Sequence, residues 1–186
     1  MTLAPGILAR GPWRPADIEV TWRQEPFALS EEVTAEADRA LDELRGRGSP
    51  SHDGLAARLT GFAVDDGKLR LQCEPVRWAL RLLPGDAMQS LSALCAVRSA
   101  DGCWLAGRRA AWLATWAERW ALGAAGSVEV GENPADTLSR ELAEGASVTP
   151  DDEHDEFAWW PVDPRDWPDH ADAPLRRLAE LLTPAA

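Results

Sequence analysis

Glu141 and Glu144 stand three residues apart in the run from Pro134 to Glu144, with Arg140 beside the first and Glu132 and Gly126 upstream. On a helix this spacing turns both carboxylates toward one side, where they could share a cation. Arg140 lies one residue off that line and could pair with Glu132 where the preceding loop begins. Bound Mg²⁺ would screen the charge of a pyrophosphate and activate a water against it, so the arrangement suits hydrolysis of such a linkage. The same spacing also reads as a solvated helical face, as charge runs commonly are.

Gly126, Glu132, Arg140, Glu141, Leu142, Glu144 and Val148 keep the register G-x5-E-x7-R-E-U-x-E-E-x-G-U, where U is aliphatic. The stretch resembles the Nudix box, the signature of the Nudix hydrolases. Upstream, Leu91 to Val97 is similar to that family's core strand, Arg108-Arg109 to its basic pair, and Trp120 to the tryptophan before the glycine-rich entry. The resemblance implies an α/β/α sandwich with a mixed sheet and a Mg²⁺- or Mn²⁺-dependent hydrolase. Its substrate would be a small phosphorylated nucleotide, a nucleoside diphosphate linked to another group. It implies Glu144 as a metal ligand, Glu141 as a ligand or helper of the attacking water, and the Gly126 carbonyl as a further ligand. Arg140 and Glu132 would hold the loop. In the acidic run from Asp151 to Glu156, Glu153 or Glu156 stands where the family places a late ligand or general base; the plainer reading is a solvated turn. The signature does not encode the pocket loops that choose the substrate, so it assigns no substrate-binding residue.

Two positions depart from the pattern, Gly145 in place of the second glutamate of the E-E pair and Ser147 in place of the following glycine. Losing one carboxylate from such a cluster weakens its hold on Mg²⁺. The chain also reads as though a piece were missing between Leu142 and Val148, because the strands the family places there need about five or six residues each plus turns. The fold expected is therefore a Nudix-like α/β sandwich short of some C-terminal strands, with apolar surface or open edges through which two copies could associate. A non-catalytic Nudix-fold binding or interaction module is the alternative to an enzyme of weakened or lost activity.

These residues need elements to position them. Pro134 in the first turn, Asp136 near the N-terminus and Gly145 past the end mark a helix over 134–144. Ser30 caps a second helix to Leu44, with Val33, Ala37, Ala40, Leu41 and Leu44 on one face. Asp65-Asp66-Gly67 is hairpin chemistry between Phe62–Val64 and Lys68–Cys73. Val76 to Leu83 alternates like a half-buried strand, and Ser90 to Val97 reads as a core strand forming a hairpin with Cys103–Ala106.

Trp112, Trp116 and Trp120 recur at helical spacing, but the resemblance makes Trp104 to Trp120 a strand, a loop and a strand. The tryptophans there either pack the core or line a base pocket. Phe157 to Trp160 is a short strand and Pro174 to Leu182 a last amphipathic helix. The resemblance covers Lys68 to Val148 well and Glu153 to Leu182 loosely. The division expected is a partly helical N-terminal extension over 1–60 and a Nudix-like domain over 61–186.

The bulk numbers bound the rest. A net charge of −12 repels long nucleic acid, while a small phosphorylated ligand needs only local cations. Cys73, Cys95 and Cys103 are too few and too oddly spaced for a disulfide framework or a zinc site. No apolar run approaches the roughly 20 residues of a membrane span, and Met1 to Arg10 lacks the features of a secretory signal. A cytoplasmic protein is expected.

Overall fold

Asp66 and Gly67 carry the backbone into the left-handed region, with φ of 48° and 75°. Two such residues in succession make the reversal that matches the natural twist of paired strands. In the computed structural model, which describes residues 7–49, 53–84, 90–113, 116–144 and 153–183, that turn joins β2 (Leu55–Asp65) to β3 (Lys68–Arg77) in antiparallel register. On the other side of β3 lies β1 (Ile18–Trp22), running parallel to it. The sheet β1-β3-β2 is thus mixed, and the chain is of the α/β class. Sequence reasoning missed β1, although Ile18, Val20 and Trp22 alternate with Glu19 and Thr21.

The chain divides into two compact units, one of residues 1–41, 52–93 and 126–139, the other of residues 42–51, 94–125 and 140–186. In the first, α1 (Glu31–Gly46) starts as expected at Ser30, whose hydroxyl accepts from the Val33 amide at 3.3 Å. Its Ala37 and Leu41 bury against Val76, Ala79 and Leu80, with Phe27, Val33 and Trp78 packed around them. Arg77 reaches Asp38 on the helix at 2.5 Å and also pairs with Asp53. Glu74 is buried to 4% exposure, and two guanidiniums, Arg23 and Arg58, meet it at 3.2 Å each. A carboxylate so desolvated requires such partners.

The second unit centres on β5 (Trp104–Arg109), flanked antiparallel by β6 (Trp120–Leu122) and β8 (His154–Trp160). Trp104–Arg109 and Trp120–Leu122 are strands, as the resemblance implies, and the described residues between them are in neither helix nor strand. Trp104, Ala106, Leu122, Trp160 and Trp167 bury against Ala171, Leu175 and Ala179, the last two on α3 (Ala173–Leu182). Trp104 and Trp167 meet edge to face with centroids 6.1 Å apart. Their indole N–H groups donate to the Val162 and Pro161 carbonyls at 3.1 and 2.7 Å, so neither polar handle is wasted in the core. Asp172 caps α3 by accepting from the Leu175 amide, and Arg176 donates to the carbonyls of Pro164, Trp167, Pro168 and Ala171. No helix among the described residues is long and apolar enough to cross a membrane.

Three expectations are corrected. β3 ends at Arg77, and Trp78–Leu82 is a 3₁₀ turn. Ala79 and Leu80 are neighbours in sequence yet both fully buried, which a one-sided strand cannot provide because it alternates faces. Within Ser90–Val97 only Ser92–Cys95 is strand (β4), with Ala93 alone buried. It pairs with β7 (Ala124–Ser127), while the expected hairpin shrinks to an Arg98–Trp104 bridge around the Ser99–Gly102 turn. The final strand begins three residues before Phe157, at His154.

Gly123 explains part of this arrangement. Its φ is +60°, and a Cβ there would lie 1.8 Å from the Cys95 carbonyl oxygen, so the chain after β6 crosses the backbone beyond β4 at a distance that only glycine allows. Gly67 has φ +75° with open space around it. In urea unfolding, Gly67→Ala should therefore lose only about 1 kcal/mol from backbone strain. Gly123→Ala should lose at least about 3 kcal/mol, since overpacking adds to strain. Equal losses would contradict the close crossing.

Candidate functional site

The loop ahead of the acidic helix is fastened before the helix begins. Val128 is fully buried, and its carbonyl accepts from the Ala57 amide at 2.9 Å; Glu129 bridges Ala56 of β2. Gly131 takes φ +91°. The Glu132 carboxylate then folds back, accepting from the Glu129 amide at 3.0 Å and from the Thr137 hydroxyl at 2.7 Å. Thr137 is wholly buried, so this bond also supplies a partner that a buried hydroxyl requires.

The helix itself, α2 (Pro134–Glu144), has the bounds the sequence predicts. Asn133 is its cap, with the side-chain oxygen accepting from the Ala135 amide at 2.9 Å and the side-chain nitrogen donating to the Ile18 carbonyl at 2.7 Å. One residue thus satisfies a free helix N–H and ties the helix start to β1. Asn133 and Thr137 were missing from the sequence-derived site. An asparagine directly before a proline-led helix is a readable cap signal, whereas nothing local marks Thr137 as buried.

Along α2, Thr137 is buried, Pro134, Ala135, Leu138, Arg140 and Glu141 are half-buried, and Asp136, Ser139, Leu142 and Ala143 are exposed. The inward stripe follows the helical period, and Glu141 belongs to it. Its side chain is 17% exposed and pairs with Arg140 at 2.5 Å. A solvated charged face does not describe this carboxylate. Glu144 ends the helix one turn further on; Gly145, Ser147 and Val148 lie outside the described residues. Gly126 sits half-buried in β7.

The late acidic run is strand from His154 onward rather than a turn. Glu156 lies across from Arg108 of β5, with Asp155 and Glu156 at 3.6 and 3.7 Å from its guanidinium. Glu153 is exposed, and its carbonyl accepts from the Ala110 amide at 2.8 Å. Among the described residues no three of His, Cys, Asp and Glu gather in a way that could hold a metal ion. The available donors, carboxylates and a peptide carbonyl, are nonetheless hard oxygens of the kind Mg²⁺ takes. Of the thiols, Cys73 is buried, and burial pushes its pKa up, the opposite of what a nucleophile needs.

The NUDIX domain family model matches residues 88–178. No curated protein and no solved structure gives a match.

The cap and the buried hydroxyl make a stability prediction. Asn133→Ala should cost about 1 kcal/mol or more in chemical unfolding, and Asn133→Ser should recover much of it by capping without the bond to Ile18. Thr137→Val, nearly equal in shape, should cost about 1–3 kcal/mol by taking a donor from Glu132. An unchanged midpoint for Thr137→Val would show that Glu132 does not depend on that hydroxyl.

Proposed function

The chain belongs, through residues 88–178, to the Nudix hydrolase superfamily, and from that membership we propose that it hydrolyses the diphosphate linkage of a nucleoside diphosphate derivative with the help of Mg²⁺ or Mn²⁺. The observation that carries this reading is the placement of Glu141 on the inward stripe of a capped helix. A charge held there, with Arg140 beside it, has a defined position.

Glu144, Glu141 and the Gly126 carbonyl would hold the cation. When bound, it would neutralise the diphosphate oxygens and lower the pKa of a water. The protein's own residues do the positioning. Glu132 and Asn133 fix the loop and the helix start, and Arg140 keeps Glu141 oriented. Glu153 or Glu156 would accept the proton of the attacking water. The water oxygen bonds to phosphorus as the bridging P–O bond breaks, and the leaving phosphate departs with that bond's electrons.

One specific observation supports a second reading, a Nudix-fold module that binds without turning over. Gly145 stands where the family pattern has its second glutamate, which takes a carboxylate from the set that would hold the cation. Adding the missing carboxylate separates the two readings.

Phosphate release from a panel of nucleoside diphosphate derivatives with Mg²⁺ should show turnover that falls at least about ten-fold in Glu144→Ala and rises in Gly145→Glu. Mg²⁺ should also raise the melting temperature of the parent. Intact turnover in Glu144→Ala would remove its metal role. Silence from both the parent and Gly145→Glu would favour the binding module.

A further inference from the structure

The second unit keeps Trp104, Trp160 and Trp167 inside, each exposed by 4% or less. Trp116 differs sharply, with 54% of its surface open to solvent. Its backbone has φ +59°, and Glu118 two residues on has the same value. Sterics disfavour this conformation for any residue with a Cβ. Burial of the side chain cannot be what compensates, because the indole is not buried.

The backbone that carries the indole is nevertheless held by hydrogen bonds. The Trp116 carbonyl accepts from the Arg119 amide at 3.2 Å, the Glu118 amide donates to the Arg109 carbonyl at 3.0 Å, and the Arg109 amide donates to the Arg119 carbonyl at 2.9 Å. The turn is thereby pinned to the end of β5. Arg119 brings its guanidinium to 5.6 Å from the Trp116 ring centroid and pairs with Asp172 at 3.4 Å. An exposed aromatic surface thus stands on a held backbone with a cation beside it, and backbone strain of this kind collects at ligand clamps.

We infer that Trp116 is the platform on which the planar ring of a nucleobase stacks, with Arg119 placed to meet the phosphate charge attached to it. The inference rests on the nucleotide reading of the previous subsection and names the part of the substrate that reading leaves open. Charge favours a small ligand over a polyanion. At a net −12 the chain repels an extended phosphate backbone, whereas one nucleotide needs only the local guanidinium. Trp112 and Trp120 are half-buried; Trp159 on β8 is 47% exposed, but of these rings, among the described residues, it is Trp116 that has a guanidinium beside it.

Calorimetric titration with ADP, adenosine and inorganic pyrophosphate in Mg²⁺ tests this on the full chain. Trp116→Ala should weaken ADP and adenosine about ten-fold or more, the usual scale of base stacking on an aromatic side chain, and leave pyrophosphate unchanged. Trp116→Phe should restore most of the affinity, and Trp116→Ala should melt where the parent does, since little packing is lost. The inference is overturned if Trp116→Ala binds ADP like the parent, if pyrophosphate affinity falls in step with ADP, or if the parent binds no ADP. Turnover measured in parallel separates this from the hydrolase reading. ADP binding through Trp116 without hydrolysis would keep the platform and remove the enzyme, while hydrolysis with a KM indifferent to Trp116→Ala would do the reverse.

Discussion

A carboxylate on the inward stripe of a helix is the constraint around which α2 is built. Desolvation disfavours the charged form unless an opposite charge or hydrogen-bond donors compensate, and Arg140 supplies that charge to Glu141 at 2.5 Å. Two neighbours on one helix keep that pair at any rotation of the helix about its axis, so the setting of α2 comes from other contacts. Thr137 is on the same stripe, wholly buried and bonded to Glu132, and Asn133 fixes the first turn against β1. Rotating the helix would expose Thr137 and break its bond to the loop. The loop and the cap therefore stand or fall together.

The second unit meets a different problem, a sheet that among the described residues has three strands. Three strands bury little apolar surface by themselves. Tryptophan supplies it, since each indole can bury on the order of 150–250 Å², and Trp104, Trp160 and Trp167 form one contiguous cluster with α3. Among the described residues β8 is the only strand after α2, and the centroids of Trp160 and Trp167 lie 5.0 Å apart. Arg176 binds the carbonyls of the segment that carries Trp167, so aromatic packing and backbone satisfaction reinforce each other where further strands are lacking.

What could be read in the sequence was mostly local. The cap at Ser30, the turn at Asp66-Gly67 and the bounds of α2 depend on residues within a few positions of one another, and each formed as expected. Val76 to Leu83 misled because its alternation is real while its burial is not one-sided, so adjacent Ala79 and Leu80 both enter the core. The helical spacing of Trp112, Trp116 and Trp120 reflects no helix, since Trp120 begins β6 and Trp116 lies in a turn, and the wider resemblance corrected that reading. Gly123 could not be read at all, since its requirement comes from the Cys95 carbonyl, far away in sequence. The same holds for Thr137, whose burial is decided by surroundings the helix period does not specify.

The ion pair between Arg140 and Glu141 bears on whether a cation could bind there. A carboxylate presents two oxygens with about four lone-pair sites, and Arg140 Nη1 bonds Oε1, so a cation held by Glu141 would share that carboxylate with a guanidinium. The pair also lowers the repulsion that a cluster of carboxylates suffers without metal. Replacing one member of such a cluster by glycine acts in the same direction, since fewer negative charges face one another. The chain's departure at position 145 would thus ease the metal-free fold while weakening the cation's hold.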